Sequence, residues 1–309
     1  MEPMSSRAAK KVLEFIFTLF AASSAVFFLS RLAPSDPVEI LLGENATFVD
    51  REALRKELKL DLTLTAQYAS FLAGLLELDF GESLVTKRKV STEILEALPH
   101  TLALGFSALL LSILAGLFSG AASAYFEGRP PDRVFGLASS VMMVSPSFLT
   151  GPVFLLFFAV SLPIFPVSGD GTALSFVLPA LVLSIPASAY LGRVLRVSIC
   201  EEKRKAYVLL AREKGAGDSR AFAAHMVPNA LIPFVQVAGL EFGALLTGAI
   251  ITEKVFRIPG LGSLLARSVF SRDYTLITAL IIVFSFIYLL GNLLADLLSP
   301  LVDPRLRDA

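Results

Sequence analysis

Thr101–Tyr125, TLALGFSALLLSILAGLFSGAASAY, contains no acidic or basic side chain. A helix needs about 20 apolar residues to cross a hydrocarbon core about 30 Å thick, and this stretch is long enough. Ile277–Ala295, ITALIIVFSFIYLLGNLLA, is equally free of charge. Four more apolar runs complete the pattern. Val12–Ser30 carries Glu14 near its start. Val134–Val160 is broken by Ser145-Pro146-Ser147, Ala173–Gly192 holds Pro179 and Pro186, and Leu231–Thr252 holds one acid, Glu241. Prolines inside spans are tolerated where neighbouring helices satisfy the freed backbone groups, so these runs predict a packed bundle. Small residues such as Gly116 and Gly120 suit close helix contacts within it. The fold expected is an all-α membrane protein of about six spans.

Composition agrees. Of the 309 residues 55% are hydrophobic and 17% charged, and mean hydropathy is +0.71. The formal net charge of zero gives no basic field for nucleic acid. The one cysteine, Cys200, excludes an internal disulfide and reads as structural. His100 and His225 fall in different loops and do not read as a metal pair. The N-terminal run resembles a leader in its basic start, but it continues through Val26–Leu29 without a pause and reads as a span.

Lys and Arg in short loops orient such a bundle. Arg7, Lys10 and Lys11 precede the first span, Glu127–Arg133 has two basic residues, Arg193–Ala230 has eight, and Arg305 and Arg307 follow the last span. Ser161–Gly171 has none, and only Glu253–Leu276, with four, runs against the trend. Both termini are expected in the cytoplasm. The chain then divides into 1–30 (N-terminus and first span), an extracytoplasmic segment 31–100, a five-helix core 101–302 with a cytoplasmic loop 193–230, and a tail 303–309. Within the outer segment, Val49–Asp61 reads as an amphipathic helix and Thr65–Leu84 as another that ends at Gly81. Either a passive lid or a platform for a soluble partner fits it.

The cytoplasmic loop is the unusual part. RVLRVSICEEKRKAYVLLAREK is expected to continue the fourth span as helix into water until Gly215-Ala216-Gly217 breaks it. Asp218 or Ser219 is a good N-cap for a second short helix. That helix carries Ala221, Phe222, Ala224, His225 and Met226, and Pro228 and Pro233 are expected to end it. A transverse helix with one exposed Phe amid small residues suits insertion into a protein cleft, although an interfacial helix on lipid fits too.

The loop resembles the coupling loop of binding-protein-dependent ABC importers, EAA-x3-G-x9-I-x-L-P. Gly215 takes the glycine, Ala211 the second alanine and Pro228 the proline, while Leu209, Leu210 and His225 depart from the pattern. Those departures are similar to the dipeptide/oligopeptide/nickel permease branch, Y-V-x-x-A-R-A-K-G…R-H-x-x-x-N-A-L-x-P. Tyr207, Val208, Ala211, Arg212, Lys214, Gly215, His225, Asn229, Ala230, Leu231 and Pro233 agree with that branch. The likeness covers nearly the whole chain. Leu32–Pro37, Leu58–Asp61, Gln67-Tyr68, Asp79–Ser83, Leu98–Leu104, Glu253–Gly262, Arg272-Asp273-Tyr274 and Pro300–Arg307 match the branch in order.

The resemblance implies a permease subunit that binds no cofactor, with ATP and Mg on two cytoplasmic ATPase subunits. A second homologous permease would complete the pore in a bacterial or archaeal inner membrane, and an extracytoplasmic binding protein would deliver substrate. Ala211, Gly215, Asp218, Phe222, His225, Pro228 and Asn229 would couple to the ATPase. Glu253, Phe256, Pro259, Gly260, Gly262 and Asp273 would shape a loop facing the binding protein or the pathway mouth. Glu241, where related permeases tend to carry an amide, is open to a pathway-lining, structural or proton-coupling role. Peptide is the preferred cargo, with nickel or another small polar solute as the alternative. A gradient-driven secondary transporter is the rival of another class. An intramembrane enzyme is disfavoured, because neither histidine lies in a span and no G-x-S-G or H-E-x-x-H occurs.

Overall fold

A computed structural model describes residues 4–32, 38, 51–52, 55–56, 60–167 and 172–302. Most of the expected helix at Val49–Asp61, the Leu32–Pro37 match beyond its first residue and the tail 303–309 lie outside the described residues, apart from Arg51, Glu52, Arg55, Lys56, Leu60 and Asp61. Eleven helices carry the account: α1 (Met4–Leu32), α2 (Leu64–Leu76), α3 (Val90–Tyr125), α4 (Pro130–Val144), α5 (Ser147–Leu155), α6 (Ala173–Glu202), α7 (Ala206–Glu213), α8 (Asp218–Ala221), α9 (Val227–Phe256), α10 (Leu261–Phe270) and α11 (Tyr274–Val302). π-helical turns follow α5 at Leu156–Ser161 and α8 at Phe222–Met226. Among the described residues the only β pairing is an isolated bridge between Glu82 and Lys89.

Five helices are long and apolar enough to cross a membrane, and six spans result if the bent pair α4–α5 is one of them. That pair turns through 101° at Ser145-Pro146. Proline cannot donate the backbone hydrogen bond that would carry the helix through, so the break falls where the sequence places it. α3 starts at Val90, eleven residues before the uncharged run, and accommodates Pro99 in its interior. It packs most extensively on α6. A Cβ at Gly116 would lie 2.8 Å from the Leu191 Cβ, and one at Gly120 would strike the Gly192 carbonyl. The small residues therefore let α3 and α6 pack backbone against backbone inside the bundle.

α1 lies against α11, with Phe15 edge-on to Phe286 at 5.9 Å. Lys11 pairs with Asp296 at 3.0 Å, so the partner of Asp296 comes from the first helix. α2 is tied to α1 by Phe27, Tyr68 and Phe71 and by a 2.6 Å hydrogen bond between Ser24 and Tyr68. It ends at Leu76 instead of Gly81. Leu78 turns left-handed (φ 56) and the Asp79 N–H returns to the Gly74 carbonyl.

The bundle thus has two polar ends. One gathers α2, the starts of α3 and α11, and the segment 253–273. The other gathers the end of α3, the start of α4, and the segment 196–230. His100 lies within α3 and His225 in the second π turn, so both are helical and they sit at opposite ends.

Candidate functional site

At the 196–230 end, α6 stops at Glu202 and does not run on to Gly215. The Lys205 N–H bonds the Glu202 carbonyl at 3.0 Å, while the Glu202 carboxylate takes Lys205 Nζ at 2.5 Å and the Tyr207 hydroxyl. A carboxylate that gathers its own downstream donors turns the chain, and α7 begins anew. Gly215 then supplies a φ of +90 that a side chain would resist. The N-cap of α8 is Gly217, without a side-chain cap, and Asp218 instead pairs with Arg212 at 3.1 Å.

Two expectations are corrected here. Pro228 and Pro233 do not end the short helix. Residues 218–256 are helical throughout, and the π turn Phe222–Met226 hands the chain into α9. The Val227 N–H bonds the Phe222 carbonyl, and this wider turn lies directly before the residue that has no N–H to give. Phe222 is also not a free knob. It is half-buried, edge-on to Tyr125 at 5.2 Å, because the end of α3 passes over it.

Ala221 and Met226 are buried in a cluster with Leu195, Ile199, Ala230 and Phe234, which joins this turn to α6 and α9. The Tyr207 hydroxyl lies 3.2 Å from the His225 carbonyl, which accepts from Asn229 Nδ2 at 2.7 Å. Ala211 is half-buried and accepts the Ala216 N–H at 3.1 Å. From Gly215 to Ala230, what faces solvent is Gly215, Gly217–Arg220, Ala223, Ala224 and Pro228.

Two further ties, which the residue pattern alone did not announce, brace the same end. Asp132 takes Arg196 in a two-pronged contact at 2.5 and 2.7 Å, and accepts from Ser123 Oγ and the Gly128 N–H. Glu127 meets Lys203 at 2.7 Å, and the ammonium holds its carboxyl below the ordinary value. Neither pair is local: Arg196 stands 64 residues from Asp132 and Lys203 stands 76 residues from Glu127, so no short charge pattern marks them in the sequence.

At the other end Glu253 is fully buried. Its Oε1 accepts from Thr101 Oγ1 at 2.6 Å and its Oε2 from the Ser263 N–H at 3.0 Å, in the first turn of α10. Thr101 Oγ1 also accepts the Leu261 N–H at 2.8 Å. A carboxylate at a helix N-terminus satisfies donors that have no partner within the helix. Gly260 and Gly262 leave the room it fills. Phe256 and Ile258 are buried beneath the turn, Arg257 is left-handed (φ 55), and Pro259 is exposed.

Asp273 repeats the device. It accepts Ser83 Oγ at 2.5 Å, the Leu84 N–H at 3.3 Å and the Leu276 N–H at 3.2 Å, so it caps α11 and hooks the loop before α3. Both acids are clamps within the fold. Thr101 and Ser83, their partners, stand in the matching stretches Leu98–Leu104 and Asp79–Ser83.

Lys254, Arg257 and Arg267, three of the four basic residues that disturb the charge pattern, line a cavity of about 460 Å³ with His100 and Glu93. Lys254 lies 4.0 Å from the Phe270 ring centre, and Arg267 lies 3.5 Å from Glu93. Midway between the ends, Glu241 lines a second cavity of about 290 Å³ between α4–α5, α6 and α9.

Two family models match the chain: binding-protein-dependent transport system inner membrane component over residues 108–308, and its N-terminal companion over residues 4–105. The chain is 37% identical over 299 residues to the glutathione transport system permease protein GsiC of Pectobacterium atrosepticum, covering 96% of this chain and 97% of that one. It is 35% identical to the GsiC of Salmonella choleraesuis and 34% to that of Escherichia coli K12, each over 305 residues, 98% of this chain and 99% of theirs. A crystal structure of an amino acid ABC transporter with histidines aligns at a TM-score of 0.51 and 24% identity, over 70% of this chain and 94% of that one, which supports the shared fold.

Proposed function

The chain belongs to the family of binding-protein-dependent transport system inner membrane components, a multi-pass permease of an importer, and on that premise we propose that it converts closure of ATPase subunits into alternating access for a short peptide. The 196–230 end faces the cytoplasm, as its seven basic residues favour, and so do both termini. The 253–273 end faces outward. Two ATPase subunits, which bind the ATP and Mg, a second permease and an external binding protein complete the machine. The chain itself is the pore subunit. Membership in this family replaces the gradient-driven carrier as the reading.

One observation carries the coupling assignment: the solvent-facing residues Asp218–Arg220, Ala223 and Ala224 ride on a turn whose inner residues are part of the α6–α9 core. A push on that turn cannot be absorbed locally, because packed cores transmit displacement instead of yielding to it. It moves α6 and α9 together, and the same two helices flank the Glu241 cavity. The third wall is α4–α5, broken at Ser145-Pro146, where a change of angle costs little hydrogen bonding. Ala211, Gly215, Phe222, His225, Pro228 and Asn229 hold the shape of the lever. On the outer side Glu253, Phe256, Pro259, Gly260, Gly262 and Asp273 set a rigid loop against which a binding protein docks.

Short peptide is favoured as cargo by the relatives, whose names specify glutathione transport. The test is purification of the tagged chain in mild detergent with mass spectrometry of its partners. Recovery of a second permease and an ATPase, with ATP-driven peptide uptake by the reconstituted complex, supports the reading. A chain that purifies alone and transports without ATP contradicts it.

A further inference from the structure

We infer that the Glu241 cavity is a transit site for a primary ammonium group, so that this permease handles peptides by their free amino terminus or a cationic side chain. The inference rests on the importer reading above and names a substrate feature that reading leaves open.

Glu241 stands halfway along α9, in the middle of a candidate span, and is half-buried. An ionisable group at that depth is costly and is retained where it faces a partner or a cavity. Glu241 has no hydrogen bond or ion pair with any described residue. It does face a cavity: about 290 Å³, with Tyr190, Ser147, Met143, Pro186 and Gly248 among its walls. No lysine, arginine or histidine is among the described residues that line it. Glu241 is therefore the one carboxyl group on the wall, and no basic side chain on that wall is placed to pair with it. Glu253 and Asp273 differ in this respect, since each is saturated by donors from its own fold.

The remaining lining matches an ammonium on an aliphatic stem. Tyr190 offers an aromatic face that attracts cations and a hydroxyl that accepts a hydrogen bond. Ser147 adds a second hydroxyl, and Met143, Pro186 and Leu183 are apolar enough for the methylenes. The volume lies at the lower limit of small-molecule pockets, about 300 Å³. It admits one aminoalkyl group and not a whole peptide, as a site met in passing should. An unpaired carboxylate in a low-dielectric setting binds such a group more strongly than it would in water.

The direct test needs no transport. Infrared difference spectra of the purified full-length chain are titrated with lysinamide and, separately, with its fully acetylated form. The expected result is a saturable change in the carboxyl stretch with lysinamide, at least fivefold weaker in apparent affinity with the acetylated form and absent in Glu241→Gln. An unchanged response in Glu241→Gln, or none in the wild type, overturns the site. In vesicles holding the complete transporter, the ratio of ATP-driven uptake for a tripeptide with a free amino terminus over its N-acetylated form is expected to fall at least fivefold in Glu241→Gln and to recover in part in Glu241→Asp. An unchanged ratio overturns the site while leaving the importer reading intact. Wild-type vesicles with no ATP-driven uptake sink the importer reading, and the infrared titration then decides the site alone.

Discussion

The carboxyl group of Glu253 occupies the space that a side chain at residue 260 would need: a Cβ built on Gly260 falls directly on it. The pair explains why an acid and a glycine belong together in the Glu253–Gly262 stretch. The acid satisfies the first donors of α10, and the glycine lets it come close enough to do so.

Gly260→Ala is accordingly expected to lower stability by about 1–3 kcal/mol, the usual range for overpacking a filled site. Thermal unfolding in detergent reads it as a lower midpoint. Gly136→Ala is the control, because nothing lies within 4 Å of a Cβ there. Equal midpoints for the two variants would refute the close-packing account.

Glu253→Gln tests the hydrogen bonds. Both carboxylate oxygens accept, from Thr101 and from Ser263, so an amide must point one donor at another donor. A loss of about 1–3 kcal/mol is expected from the buried group left unsatisfied. A near-neutral result would mean that the carboxylate does not hold the turn.

Asp273→Ala removes the cap of α11 and the hook on Ser83 together. Hydrogen exchange should accelerate at residues 79–89 and at the first turn of α11, with α6 unchanged as the internal reference. Acceleration confined to α11 would show that the loop before α3 is held by other contacts.

The Glu127–Lys203 pair predicts a pH dependence. The carboxyl titrates lower in the folded chain than when unfolded, through its hydrogen bond to Lys203. Its contribution is therefore complete above the ordinary glutamate value of about 4.3 and is lost as pH falls through the lower folded value. Both groups are partly exposed, at 29% and 41%, so the effect is under about 1 kcal/mol. The difference in unfolding midpoint between wild type and Lys203→Met should shrink as pH is lowered below that value. A constant difference would assign the effect of Lys203 to packing.

Hydropathy made the spans legible, because twenty apolar residues in a row have few other uses. Their ends were less legible. α3 starts early, through Glu93 and Glu96, since a polar first turn resembles a loop in sequence and nothing local marks it as helix. α6 stops at Glu202 because a carboxylate gathers Lys205 and Tyr207, which helical periodicity does not register. Phe222 is covered by Tyr125, a neighbour almost a hundred residues away in the chain, so its exposure could not be judged from its own stretch. Glu253 and Asp273 stood out as acids in shared stretches, but the hydroxyl partners that complete their hydrogen bonding lie 152 and 190 residues away. Only the fold separates a clamp from a site. Glu241 is the opposite case: its depth was legible, and the cavity it faces was not.

The most direct measurement is photo-crosslinking from residue 224. A photoreactive amino acid replaces Ala224, on the solvent side of the proposed lever, and the complex is irradiated in native membranes with and without ATP. The account predicts an adduct with the ATPase subunit whose yield changes on adding ATP, and no such adduct from residue 118, where Phe118 is exposed on the flank of α3. Adducts with lipid alone from residue 224 would contradict it and make the turn a surface helix with no role in coupling.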